Sequence, residues 1–233
     1  MKNSLLALIV LFIVSCNNKP QDLIVKGHIK GLKKGTIYLE RVQDSAIIIL
    51  DSLLIKGNPN FELSSELETP EALYLRLDKN STKKSTDNRI VFFADKGTTE
   101  ITTTLKNFVV DATIKGSKQQ TLYEDYLKVM SRFNDKSLEL YKDKLEAIKL
   151  GDSSKINEIQ IAINKLIKSK YLYTVNFAVT NNDSEIAPYL ALSEVYDAQP
   201  KWLDTINQSL TPRIKDSKYG KILDNYISEL KEN

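Results

Sequence analysis

Cysteine occurs once in this 233-residue chain, at position 16, and histidine once, at position 28. One thiol allows no internal disulfide and no Cys-x-x-Cys redox centre. One imidazole excludes a multi-histidine metal site, and His28 stands between Lys26 and Lys30, where an alternating strand presents its solvated side. Neither G-x-S-x-G, nor a P-loop, nor G-x-G-x-x-G is present, so the motifs of nucleophile elbows and nucleotide cradles are missing. Charge of one sign is lacking too. Thirty-three basic residues face 30 acidic ones, which gives no basic excess of the kind that binds nucleic acid. No metal, cofactor or nucleic-acid partner is therefore expected.

Long apolar runs are also absent, with one short exception. Residues 5–14 are unbroken apolar sequence after a basic start at Lys2, and the run ends at Ser15-Cys16. Ten helical residues cover roughly 15 Å against about 30 Å of bilayer hydrocarbon, too short to span. The pattern is that of a secretory signal, and Ile13-Val14-Ser15-Cys16 resembles a bacterial lipobox. That resemblance implies cleavage between Ser15 and Cys16 and a diacylglycerol thioether on Cys16. Several acyl chains on one residue hold a protein at a membrane where a single chain binds only reversibly. The expectation is a signal peptide over 1–15, a lipidated tether over 16–22 and a location in the cell envelope.

The remainder changes character near Gly116. Six of the eight glycines fall at or before it, among segments that alternate with a period of two. Leu23, Val25 and Ile29 oppose Lys26, His28 and Lys30. Phe61, Leu63 and Leu67 oppose Glu62, Ser64 and Glu66, while Leu73, Leu75 and Leu77 oppose Tyr74, Arg76 and Asp78. "TTEITTTL" and "VVDATIKG" alternate likewise, and "IIILDSLLI" and "RIVFFAD" read as more fully buried strands. About eight short strands over 23–116 predict an antiparallel β-sandwich or barrel-like domain.

From residue 117 to 233 the period is helical. Leu122, Tyr126, Val129 and Phe133 form a stripe that Tyr141, Leu145 and Ile148 are expected to continue. Gly151 can end that helix, and Asp152 or Ser153 can cap the next. A second stripe runs through Ile156, Ile159, Ile163, Leu166 and Tyr173. Shorter helices are predicted around 185–196, 201–210 and 217–230, with Pro188 in a first turn. The fold class is α+β, a sheet domain followed by a helical one.

The ordered segments "VKGHIKGLKKGTIYLERV", "LDSLLIKGNPNFEL", "ETPEALYLRL", "VFFADKGTTEI" and "ATIKGSKQQTLYEDY" resemble a domain of unknown function common in lipoproteins of Bacteroidetes. Gly27, Gly35, Tyr38, Leu39, Asp51-Ser52, Phe61, Pro70 and Gly116-Ser117 carry the resemblance. In many relatives that domain precedes a thioredoxin-like disulfide reductase domain. The resemblance therefore implies a link to thioredoxin-like proteins. Here the sequence reaches Asn233 where such a domain would begin, and without a Cys-x-x-Cys the redox activity does not carry over.

Two surfaces are candidates for function. Tyr38, Tyr74 and Phe93 are aromatics that could share a sheet face and stack on a sugar or peptide; core or cross-strand packing accounts for them equally. Glu62, Glu66, Glu68 and Glu71 cluster near a strand end and admit a carboxylate-based hydrolase, although glutamates on a strand face commonly serve only to keep it wet. The polar stretch at 78–88 reads as a solvated loop. The expected function is a non-catalytic envelope module that binds a protein, peptide or glycan, with the hydrolase as the alternative.

Overall fold

The computed structural model describes residues 22–43, 46–79 and 89–232. Eight strands come first: β1 (Leu23–Lys30), β2 (Lys34–Gln43), β3 (Ala46–Lys56), β4 (Asn60–Ser65), β5 (Glu71–Asp78), β6 (Arg89–Ala94), β7 (Gly97–Thr104) and β8 (Thr113–Lys115). They form two four-stranded sheets, ordered β4-β1-β7-β8 and β3-β2-β5-β6. The alternating residues meet between the sheets: Leu23, Val25, Leu39, Leu63, Leu75 and Ile101 are all buried there.

One pairing departs from the expected antiparallel pattern. β1 and β7 run parallel over their whole lengths, closed at one end by the Gly97 N–H on the Asp22 carbonyl and at the other by the Leu105 N–H on that of Lys30. Gly27 lies where the β7 backbone leaves no room for a side chain. A β-carbon there would overlap the Ile101 carbonyl.

Two strands differ from their sequence reading. "VVDATIKG" supplies only the three residues of β8, preceded by turns in which Val110 is exposed. "IIILDSLLI" is not buried. It forms β3, the edge of its sheet, and of its described residues only Ile55 is fully covered. An edge strand has a neighbour on one side alone, so an apolar run there does not acquire the two-sided cover of a central strand.

Six helices follow: α1 (Lys118–Leu150), α2 (Ser153–Thr180), α3 (Ile186–Glu194), α4 (Pro200–Ser209), α5 (Pro212–Lys215) and α6 (Lys218–Glu232). The Ser117 side chain caps α1 by accepting from the Gln120 N–H. Gly151, at φ 68°, ends it in the left-handed conformation, and Asp152 caps α2 through the Lys155 N–H. At 33 residues α1 is about 50 Å long. Its proximal stripe packs as expected, with Tyr126, Val129 and Phe133 beside Tyr173 and Phe177 of α2. The distal continuation differs. Leu140 and Ala147 face α2, whereas Tyr141, Leu145 and Ile148 point outward. Steps of three and four from Phe133 reach 137, 140, 144 and 147, so helical geometry selects Leu140 and Ala147.

Among the described residues, no helix is long and apolar enough to cross a membrane.

Candidate functional site

Residues directly opposite one another in an antiparallel sheet share a face, so the register defines the outer surface of the β3-β2-β5-β6 sheet. Leu54, Thr36 and Asp78 form one row; Ser52, Tyr38, Arg76 and Arg89 the next; Ile49, Glu40, Tyr74 and Val91 a third. Val42 with Ile47, and Ala72 with Phe93, complete it. Tyr38, Tyr74 and Phe93 are thus brought onto one face, in three very different environments.

Phe93 is fully buried. Its ring lies edge-on to Tyr189 at 5.4 Å between centroids and near Tyr123 and Tyr219, so the helices cover this end of the face. Of the two readings of Phe93, a ligand-stacking face and core packing, its burial fits packing, so it is not available to a ligand in this structure. Polar contacts fix the cover. The Phe93 N–H donates to Gln120 Oε1 at 2.7 Å, and the Ala72 N–H donates to the Tyr219 hydroxyl at 3.0 Å. Burial pushes the hydroxyls of Tyr123, Tyr126, Tyr189 and Tyr219 upward in pKa, because a phenolate in this apolar layer would lose its hydration.

The middle of the face is a charge cluster that the sequence did not announce. Glu40 is buried, and it accepts from Arg76 Nε at 2.6 Å and from Arg89 Nε at 3.0 Å. The Arg76 guanidinium also lies 4.0 Å from the centroid of the Tyr38 ring. Tyr38 is therefore half-buried and engaged by a cation, while Tyr74 is half-buried opposite Glu40. Alternation alone had placed Arg76 on a solvated side. Only the register reveals that three charges converge there.

Beyond Tyr38 the face opens. Val42, Ile47, Ile49 and Leu54 are 46, 49, 54 and 57% exposed, along the edge strand β3 and its neighbour. A bulge at Leu50, where Leu39 pairs with Asp51 but Glu40 with Ile49, returns Ile49 and Ile47 to this face. The Asp51 carboxylate accepts from the N–H groups of Ser52, at 2.7 Å, and Ser64, at 2.9 Å, and so ties this edge to β4 of the other sheet.

The four glutamates stand in two environments, Glu68 being exposed. Glu71 is buried and engaged by Arg41 Nη2 at 2.6 Å and by Lys218 at the start of α6. Glu62 and Glu66 are exposed. His28 is half-buried and its Nδ1 hydrogen-bonds Asn60 Oδ1 at 2.7 Å. Among the described residues, no group of three or more His, Cys, Asp or Glu side chains is placed to hold a metal. Ser15, Cys16 and residues 80–88 of the polar loop lie outside the described residues.

Residues 23–123 match a family model described as a domain of unknown function, DUF4369. That stretch is a DUF4369 domain. It takes in both sheets and the first residues of α1, so the open apolar edge, the Glu40 cluster and Gly27 all belong to the DUF4369 part of the chain. No curated protein matches this sequence.

Proposed function

We propose that this protein is a non-catalytic, lipid-anchored module of the bacterial cell envelope, and that its DUF4369 domain binds an extended segment of a partner protein along β3. The observation that carries the reading is the run of exposed Ile47, Ile49 and Leu54 on an edge strand. An edge offers free backbone donors and acceptors to an added strand, and alternate side chains give that strand an apolar floor. Tyr38, held by Arg76, adds a half-buried aromatic rim. Attachment through Cys16 rests on the signal sequence, and a separate thioredoxin-like protein is the partner that the sequence resemblance suggests.

A photo-crosslinking side chain at Ile49 of the lipidated protein in intact cells tests this. The expected result is one dominant protein adduct that disappears when Ile47 and Leu54 are changed to lysine. Adducts no stronger than those from a crosslinker at Lys115, in the other sheet, would remove β3 as the binding edge.

A further inference from the structure

The distal half of α1 carries two apolar faces, and only one has a partner. Leu140 and Ala147 pack against Ile159 and Ile163 of α2. Leu138, Tyr141, Leu145 and Ile148 are 72, 49, 59 and 51% exposed. Their spacing of three, four and three residues sets them in a single row along the helix. Four large apolar side chains in one exposed row are more than the scattered singles of an ordinary surface.

The border of that row is cationic. At about 100° per residue, Lys142 and Lys149 lie roughly 70° from its centre on one side and Lys144 roughly 80° on the other. The acidic residues lie further round, Asp135 roughly 100°, Glu146 roughly 120°, Glu139 roughly 140° and Asp143 roughly 180° from the centre. Glu139 is paired with Lys136 at 2.8 Å, and Lys144 donates to Gln160 of α2 at 2.6 Å. Lys142 and Lys149 are exposed, and among the described residues neither pairs with a carboxylate.

We propose that this face of α1 docks on an anionic lipid surface. Leu138, Leu145 and Ile148 enter the interface, Tyr141 sits at headgroup level, and Lys142 and Lys149 meet the lipid phosphates. An apolar stripe edged by lysines, with an aromatic hydroxyl among them, is the chemistry of a helix that lies in the membrane plane. A second copy is a poor occupant. Facing rows would bring lysine border against lysine border in either orientation, and like charges at those positions oppose pairing. The contact is separate from the lipid on Cys16, and it would orient a protein that the lipid merely tethers.

The test uses protein lacking residues 1–16, which retains every described element and no acyl chain. It is sedimented with vesicles of phosphatidylcholine alone and of phosphatidylcholine with phosphatidylglycerol. Binding is expected to the anionic vesicles only, and to weaken as salt rises. Lys142→Ala with Lys149→Ala should lower the affinity about thirtyfold, from the typical contribution of one lysine near a charged membrane surface. Leu145→Gln with Ile148→Gln should abolish it. All four positions are exposed, so these changes leave the helix packing intact. Absence of binding to anionic vesicles, or binding that both variants leave unchanged, overturns the proposal. So does a concentration-dependent dimer lost in the Leu145/Ile148 variant without vesicle binding, which would assign the face to a second copy. Because no lipid on Cys16 takes part, failure here leaves the β3 reading standing, and the crosslinking result leaves this one standing.

Discussion

The Arg76 guanidinium lies 4.0 Å from the centroid of the Tyr38 ring while its Nε donates to Glu40 Oε1 at 2.6 Å. Arg89, directly opposite Arg76 across the β5–β6 pair, donates to the other oxygen of the same carboxylate. One buried anion thus holds two adjacent cations beside an aromatic ring, on a sheet face that is covered by helices at one end and open at the other.

Glu40→Ala should therefore cost far more than an ordinary surface change. It removes the carboxylate that both arginines share and leaves Arg76 only its longer contact with Asp78, at 3.8 Å; breaking a buried pair in this way costs about 3–5 kcal/mol. Urea denaturation followed by circular dichroism should show a lower midpoint at an unchanged slope. A loss below about 1 kcal/mol, the level of an exposed ion pair, would mean that solvent reaches the cluster.

Gly27→Ala should prevent stable pairing of β1 with β7. The added β-carbon meets backbone, the Ile101 carbonyl, which cannot turn aside as a side chain can. The expected loss exceeds the roughly 1–3 kcal/mol of ordinary overpacking. Gly57→Ala is the control. Nothing lies within 4 Å of its β-carbon, and at φ 94° it carries only the left-handed penalty of about 1–2 kcal/mol. Equal melting temperatures for the two variants would contradict the close approach.

Alkaline pH should weaken the protein. Tyr171 donates to Asp197 Oδ1 at 2.5 Å, and this hydrogen bond, with some burial, pushes its pKa up to about 12; burial raises Tyr126, Tyr189 and Tyr219 as well. Their folded values lie above the ordinary 10.0, so the unfolded chain releases these protons first. The stabilisation is complete below about pH 10 and is lost as pH rises through 12 and beyond. Urea midpoints should be level on the neutral side of pH 10 and fall above it. Tyr171→Phe should reduce the fall. A midpoint that stays flat above pH 10 would count against the buried aromatic layer.

Cys16→Ala should abolish incorporation of labelled lipid and leave the precursor uncut. Recovery of a shorter, detergent-partitioning form of that variant would show that the attachment does not run through this cysteine.

Much of the architecture was legible in the sequence, because local rules govern it. Period-two alternation identified the inner residues of β1, β4 and β5, and Gly151-Asp152 marked the α1–α2 turn through backbone preferences that act within a few residues. Tertiary structure alone decided the rest. Whether "IIILDSLLI" is covered depends on which strands flank it, and no local pattern contains that information. Glu40, Arg76 and Arg89 are far apart in sequence and meet only through two cross-strand registers. Phe93 and Tyr38 share a face by alternation, yet one is sealed and the other half-open because the helices dock at one end of the sheet. In α1, two apolar rows compete for the seam with α2. The row in phase with Phe133 packs, and the row through Tyr141 and Leu145 is left facing outward. Composition and periodicity set which residues can be buried; strand order, register and helix phase set which of them are.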